Sequence, residues 1–148
     1  MSEPTSDPLP ISGRLAGIDY GTVRIGVALC DSDRILASPW ETYRRRNAQA
    51  DADFFRRLIR EERIVGFVLG LPLHLDDRIS EKALEVIAFA DWLRHETGLP
   101  LAFHDERYTS VEAEHHLRSG GLTNKRRRDR RDQLAAQLIL TAYLESGK

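Results

Sequence analysis

The sequence lacks the features that mark exported or membrane-spanning chains. Its 148 residues include one cysteine, Cys30, which excludes an internal disulfide. No apolar run approaches the roughly 20 residues that a membrane span needs. Residues 1–13 contain neither the basic segment nor the apolar segment of a signal peptide. We therefore expect a cytoplasmic globular protein with no membrane partner.

The sequence also carries almost no net charge, since 22 Lys and Arg face 23 Asp and Glu. A neutral total does not favour a polyanionic partner, but the cations are unevenly distributed. Six of them form a basic run that only Asp129 interrupts. This basic run consists of Lys125, Arg126, Arg127, Arg128, Arg130 and Arg131. Clustered arginines form bidentate bonds with phosphates and release counterions from nucleic acid, so we predict that the basic run contacts a nucleic-acid backbone.

The apolar pattern predicts one α/β domain over residues 14–148. Three of the six prolines fall in the first ten residues, so residues 1–13 are predicted to be a disordered tail. Short loops between the first three strands predict an antiparallel meander, and apolar runs separated by helices predict two parallel strands. The predicted strands are 14–20, 25–30, 35–43, 64–69 and 101–106. We expect a mixed five-stranded sheet flanked by helices.

Capping residues predict where the helices begin and end. Asn47 is predicted to cap a helix that runs to about residue 62, and Ser80 one that ends at Gly98. The pattern Thr109 to Glu112 fits a capping box and predicts a short helix to residue 119. The basic run is predicted to be a loop, with the last helix starting at about Asp129.

Acidic residues follow the strands at the edge of the sheet where α/β proteins bind ligands. Asp19 ends the first strand, Asp105 and Glu106 end the fifth, and Asp132 lies in the first turn of the last helix. Carboxylates held close together repel unless a hard divalent cation neutralises them. We therefore predict Mg²⁺ or Mn²⁺, as two ions that activate water and stabilise the leaving oxygen of a phosphodiester. Asp129 is a possible fourth ligand or a helix cap.

Each of these acids also has a simpler interpretation. Asp19 alone fits a turn, Glu106 fits an ion pair with Arg107, and Asp132 fits an acid favoured by the helix dipole. Arg107 could hold a phosphate, orient Glu106 or be a solvated charge. The histidines show no zinc spacing, and His104 is placed where it could support the acids.

Four segments resemble the successive motifs of the YqgF/RuvX family. They are residues 19–28 (DYGTVRIGVA), 70–73 (GLPL), 105–110 (DERYTS) and 132–140 (DQLAAQLIL). The resemblance implies an RNase H-like fold and a Holliday-junction-resolvase-like nuclease implicated in 5′-end maturation of pre-16S rRNA, hence in ribosome biogenesis. It also implies that Asp19, Glu106 and Asp132 are the three acidic active-site residues.

The resemblance leaves the partner open. Val23 stands where the family usually has a basic residue, so Arg24 is the predicted phosphate contact of that loop, together with Arg107 and the basic run. Pre-rRNA is the expected substrate, and a ribosomal particle is a possible further partner. The alternatives are resolution of branched DNA and a non-catalytic RNA-binding role in ribosome assembly. Asp-x-Gly-Thr also begins the phosphate loop of sugar-kinase ATPases, which close two domains where this chain has one. Monomer and homodimer both remain open.

Overall fold

The computed structural model describes residues 5–72, 80–106 and 124–146. In these ranges the chain forms five strands and three helices. They are β1 (Arg14–Asp19), β2 (Arg24–Cys30), β3 (Ala37–Arg44), α1 (Ala48–Glu62), β4 (Ile64–Leu71), α2 (Glu81–Thr97), β5 (Leu101–Asp105) and α3 (Asn124–Ser146). Among the residues described, no helix combines the length and the apolar character of a membrane span.

The five strands form one mixed sheet in the order β3-β2-β1-β4-β5. β1 pairs with β2, and β2 with β3, in antiparallel orientation. β1 pairs with β4, and β4 with β5, in parallel orientation. The predicted α/β class, the meander and the two parallel strands are confirmed. The carboxyl ends of β1, β4 and β5 therefore meet at one edge of the sheet.

Helices cover both faces of the sheet. α1 and α2 pack on one face, where Ile18, Phe55 and Phe67 are fully buried. α3 packs on the other face, where Leu15 and Leu140 are fully buried. Because side chains alternate along a strand, successive residues of β1 point to different helices. Even-numbered residues of β1 face α1 and α2, and odd-numbered residues face α3.

The predicted helix boundaries agree with the observed caps. The Asn47 side chain accepts a hydrogen bond from the Ala50 amide at 2.8 Å, and α1 follows it directly. Ser80 accepts from the Ala83 amide at 3.0 Å at the start of α2, which ends at Gly98 with a φ of 70°. A left-handed φ favours glycine, so this residue terminates α2 at low cost.

The predicted starts of the last helix and of β3 are wrong. The basic run is helical, since α3 begins at Asn124. Lysine and arginine are good helix formers, and no Gly or Pro interrupts 124–146, so charge density was no sign of a loop. β3 begins at Ala37 because the Asp31 carboxylate accepts the amides of Ile35 and Leu36 at 2.9 and 2.7 Å, which forms a turn. The predicted helix 109–119 lies outside the described residues.

The described part of the predicted tail, residues 5–13, forms no helix or strand but contacts the domain. The Asp7 amide donates to the Leu101 carbonyl at 2.8 Å, and the Asp7 carboxylate accepts from the Leu101 amide at 3.0 Å. Arg94 of α2 pairs with the same carboxylate at 2.8 Å. Through these contacts the tail lies against β5, which is an edge strand of the sheet. The division of the chain at residue 13 stays a prediction.

Glycines in β1 and β2 determine how closely α3 lies on the sheet. A Cβ atom on Gly17 would lie 2.7 Å from the Leu140 Cβ and 2.8 Å from the Ala136 carbonyl oxygen. A Cβ on Gly26 would collide with the backbone carbonyl of Asp132. Since both obstacles include helix backbone, neither can be relieved by rotating a side chain. The missing side chains therefore set the height of α3 above the sheet.

We expect Gly17→Ala to lower the free energy of unfolding by about 1–3 kcal/mol, because the added methyl group pushes α3 away from the sheet. Urea unfolding of the purified protein measures the change. Gly66→Ala is the matched control, because its Cβ would lie 3.2 Å from the side-chain ends of Leu9 and Leu15, which can shift. Equal losses in both variants would contradict the close approach of α3.

Candidate active site

The ends of β1 and β5 bring Asp19 and Glu106 to the face of the sheet that α3 covers. Asp19 is the last residue of β1 and shares the α3 face with Leu15 and Gly17. Glu106 follows β5, and its side chain lies over Gly70 near the end of β4, where a Cβ would collide with it. The absence of a side chain at residue 70 thus leaves space for the Glu106 carboxylate.

Helix α3 brings Asp132 to the same place. Its backbone carbonyl lies over Gly26, which is the β2 partner of Asp19 in the antiparallel ladder. Its carboxylate accepts a hydrogen bond from Arg24 Nε at 2.8 Å, and the two side chains are only 15% and 24% exposed. The Arg24 Nε group is therefore used to orient Asp132. The predicted phosphate contact of Arg24 stays a prediction for its remaining N–H groups.

The acids influence one another electrostatically. Burial, followed by the negative charges of Glu106 and Asp132, raises the pKa of Asp19 from 3.8 to about 7. Burial also raises the pKa of Glu106, and the positive charge of Lys82 opposes this rise. Losing water and facing like charge both disfavour the ionised carboxylate. The structure therefore brings Asp19, Glu106 and Asp132 together as a set of acids with too little positive charge beside them.

Lys82 is a site residue that the sequence reasoning missed. It lies in the first turn of α2, and its ammonium is 5.5 Å from the centre of the Tyr20 ring. With Asp19, Arg24 and Asp132 it lines an open cleft of about 350 Å³, which we call the acidic cleft. Its charge lowers the pKa of Asp19 against the stronger effects that raise it. The available signal was its position just after the Ser80 cap, because α2 begins at the same edge of the sheet.

His104 was predicted from its position to support the acids, and that role stays a prediction. It pairs with Gly70 in the parallel ladder and precedes Glu106 by two residues, so it faces α3 as well. Its side chain is buried, and Nε2 has no hydrogen-bond partner within the described ranges. Burial lowers the pKa of the imidazole, with Asp105 acting in the opposite direction. A neutral ring at neutral pH keeps one nitrogen as donor and one as acceptor.

Asp129 lies one turn before Asp132 on α3, and its part as a fourth ligand stays a prediction. Its backbone carbonyl accepts a hydrogen bond from Thr42 of β3, two strands away from β1. One of its carboxylate oxygens is buried with no hydrogen-bond partner among the residues that the structure describes. Its predicted role as a fourth ligand therefore receives no support from this placement.

The donor set fits a hard divalent cation in its chemistry. Three carboxylates supply only oxygen ligands, which Mg²⁺ and Mn²⁺ prefer. As the side chains stand, no group of three or more acidic, histidine or cysteine side chains in the described ranges is arranged to hold an ion. Asp132 is turned towards Arg24, and Glu106 lies over Gly70.

The predicted nucleic-acid contacts are placed in part. The six cations of the basic run are exposed on the first two turns of α3, directly before Asp132. Arg107 lies outside the described residues, as do residue 73 of the GLPL motif and His74.

Comparisons with known proteins identify the family of this chain. A family model described as "RuvX: Holliday junction resolvase" matches residues 13–146. A Rhodopirellula baltica protein named "Putative pre-16S rRNA nuclease" is 48% identical over 140 residues, which are 95% of this chain and 81% of that protein. A protein of the same name from Paracoccus denitrificans is 41% identical over 143 residues, covering 97% of this chain and 90% of the relative.

Two solved structures share the fold. RuvC of Thermus thermophilus in complex with a Holliday junction substrate has a TM-score of 0.53 at 11% identity, covering 90% of this chain and 94% of that one. The yeast mitochondrial Holliday junction resolvase Ydc2 has a TM-score of 0.51 at 11% identity, covering 93% and 80%. The predicted RNase H-like fold is confirmed.

We expect the stability of the protein without divalent cations to fall between about pH 4 and pH 7. Unfolded Asp19 loses its proton near pH 4, whereas folded Asp19 keeps it to about pH 7, so deprotonation in this window favours the unfolded state. Asp19→Asn should remove the part of this slope that Asp19 contributes, leaving the contribution of Glu106, and stabilise the protein at pH 8 by up to about 4 kcal/mol. Urea unfolding in EDTA from pH 4 to pH 8 measures both.

Asp53→Asn is the control for that slope, because Asp53 is 66% exposed on α1. It should keep the pH dependence of the original protein. Parallel pH profiles for Asp19→Asn and the original protein would show that Asp19 does not carry the effect.

Proposed function

This chain belongs to the RuvX family, and on that premise we propose that it is a divalent-metal-dependent nuclease that matures the 5′ end of pre-16S rRNA. The observation that carries the proposal is the half-buried carboxyl of Asp19, which faces the charges of Glu106 and Asp132 at the carboxyl edge of the sheet. The name that the relatives share supplies the substrate, and the acids supply the chemistry.

Asp19, Glu106 and Asp132 would hold Mg²⁺ or Mn²⁺, and we propose two ions. When bound, such ions supply an activated water and stabilise the leaving oxygen of a phosphodiester. The raised pKa of Asp19 supports this assignment, because a partly desolvated acid beside two others is stabilised in its ionised form by a neutralising cation.

Neighbouring residues position these acids. Arg24 donates a charge-assisted hydrogen bond to Asp132, which orients that carboxylate. His104 can donate or accept a hydrogen bond beside Glu106. Lys82, at the mouth of the acidic cleft, attracts a phosphate that must approach three acids. Arg107, next to Glu106 in the chain, is the proposed partner of the cleaved phosphate.

The basic run supports a nucleic-acid substrate. The six cations of the basic run occupy the first two turns of α3, and the first turn contains no acidic residue. The helix dipole disfavours cations at that end, and neighbouring cations repel one another. A phosphate backbone relieves both costs. Because Asp132 follows on the same helix, a strand bound here is guided towards the acidic cleft.

A four-way DNA junction is the second candidate substrate. The fold similarity to RuvC in complex with a Holliday junction substrate is the observation that favours it. Such a junction calls for a symmetric dimer, whereas a single RNA strand needs one copy. We favour the RNA, on the name of the relatives that are 41–48% identical.

We expect the protein to cleave a precursor 16S 5′ end in the presence of Mn²⁺ or Mg²⁺ and to cleave a four-way DNA junction less efficiently. Asp19→Asn and Glu106→Gln should each slow cleavage at least about 100-fold, or roughly 3 kcal/mol of barrier. Gel analysis of end-labelled substrates measures the rates.

Asp53→Asn, on the opposite face of the sheet from the acids, should cleave at the original rate. Unchanged circular dichroism will show that the acidic variants are folded. Cleavage at full rate by folded Asp19→Asn would reject the assignment of the site, and faster cleavage of the junction would reject the choice of RNA.

We expect RNA binding to weaken steeply between 50 and 200 mM salt because of the basic run. Replacing Arg127 and Arg130 with Gln should reduce the slope of log K against log salt by about 1.4 in magnitude for a single strand. Fluorescence polarisation with the inactive Asp19→Asn protein measures the slope. Arg57→Gln on α1, where Arg57 is 57% exposed, is the control. Identical slopes for the Asp19→Asn protein, the variant with Arg127 and Arg130 replaced and the Arg57→Gln control would contradict a contact between the basic run and RNA.

A further inference from the structure

A second depression adjoins the acidic cleft, on the side of the sheet that α1 and α2 cover. It has a volume of about 630 Å³, and its lining includes Tyr20, Arg45, Arg46 and Trp92. We call it the aromatic pocket. It shares Tyr20 and Thr22 with the acidic cleft, so the two depressions meet at the loop that follows β1. Its volume falls in the range of small-ligand sites.

Three aromatic rings form one wall of the aromatic pocket. The centres of the Tyr20 and Phe89 rings are 4.7 Å apart, and those of Phe89 and Trp92 are 5.5 Å apart. Phe89 is only 5% exposed, whereas Trp92 at the end of the series is half-buried. Trp92 therefore presents part of its indole to the pocket, and a flat group could stack there.

A network of hydrogen bonds around the buried Asp51 supports this wall. The Arg45 guanidinium lies 5.3 Å from the centre of the Tyr20 ring and donates to the Tyr20 hydroxyl at 2.8 Å. It also pairs with the carboxylate of Asp51 at 3.1 Å, and Asp51 is 1% exposed. Asp51 in turn accepts the Arg46 amide at 3.0 Å. The Arg45 guanidinium is thus already paired with Tyr20 and Asp51, and its role is to hold the wall in place.

Arg46 is different, because only its backbone takes part in the network. Its guanidinium has no hydrogen-bond or ion-pair partner in the ranges that the structure describes, and it lines the pocket beside the start of α1. The exposed Glu85 of α2, also in the lining, offers an acceptor for an amino group of a base. The pocket therefore combines a stacking surface, a cation and an acceptor.

We propose that the aromatic pocket is a subsite for one nucleotide of the substrate strand, next to the bond that is cleaved. Its base stacks on Trp92, and its phosphate contacts Arg46. The nucleic-acid strand passes from the acidic cleft over the end of β1 into the pocket and contacts the shared residues Tyr20 and Thr22. The proposal rests on the nuclease function for its substrate, but binding can be tested without cleavage.

Stacking on Trp92 can be observed directly, because the sequence contains only two tryptophans. In an Asp19→Asn, Trp40→Phe protein, all indole fluorescence comes from Trp92, and the strand is not cut. We expect a five-nucleotide RNA and its DNA counterpart to quench this fluorescence in a saturable way. An abasic oligomer of equal length and charge should leave it nearly unchanged, because base–indole stacking is what quenches. Free uridine monophosphate forms the fourth arm.

Affinity provides a second readout. Trp92→Ala should weaken oligonucleotide binding about tenfold in fluorescence polarisation, and Trp92→Phe should restore most of it, because a phenyl ring still stacks. The matched control is Asp19→Asn, Trp92→Phe, which keeps Trp40 on β3 and should show no quenching. If Trp92→Ala does not fold, the quenching titration with native Trp92 still decides.

Three results would overturn the subsite: equal quenching by the abasic oligomer, saturable oligonucleotide binding that leaves Trp92 fluorescence unchanged, and binding of the free monophosphate as tight as that of the strand. The two proposals fail separately. Quenching by a strand that the original protein does not cleave would reject the nuclease and keep the subsite. Cleavage with no effect at Trp92 would reject the subsite and keep the nuclease.

Discussion

Helix α3 approaches the sheet closely because β1 and β2 each present a glycine beneath it. Gly17 and Gly26 leave room for the helix backbone, and the carbonyl of Asp132 comes to rest over the β2 partner of Asp19. Gly70 leaves comparable room for Glu106. The site depends on this close approach, since a methyl group at either position under α3 would move Asp132 away from Asp19.

The same approach has an electrostatic cost. Asp19 is half-buried beside two acids and holds its proton to about pH 7, so the folded chain is less stable with this group ionised. Arg24 relieves Asp132, and Lys82 relieves Asp19 and Glu106 in part. Buried acids that remain undercompensated are a common sign of a site prepared for a cation or for proton transfer. The protein gives up stability where the proposed chemistry needs negative charge.

The end of β1 also joins two different surfaces. Asp19 and Tyr20 are consecutive, so their side chains point to opposite faces of the sheet. Asp19 faces α3 and the acids, whereas Tyr20 packs on Phe89 and supports the aromatic pocket. One turn of chain thereby connects the proposed chemistry on one face with the proposed nucleotide subsite on the other. Asp51 pairs with Arg45, and Arg45 in turn donates to the Tyr20 hydroxyl, so these bonds hold Tyr20 in place at that connection.

Local patterns in the sequence determined the strands, the meander and the helix caps at Asn47 and Ser80. They also led to the choice of Asp19, Glu106 and Asp132 as candidate site residues. Hairpins, caps and motifs can be read in this way because they involve residues close together in the chain. The basic run was assigned to a loop, since its charge hid a strong helix propensity. Only the tertiary structure decided that Arg24 binds Asp132, 108 residues away, that Lys82 reaches the acids and that Tyr20, Phe89 and Trp92 form one wall. These contacts depend on how helices pack across the sheet, and no short-range pattern in the sequence encodes that geometry.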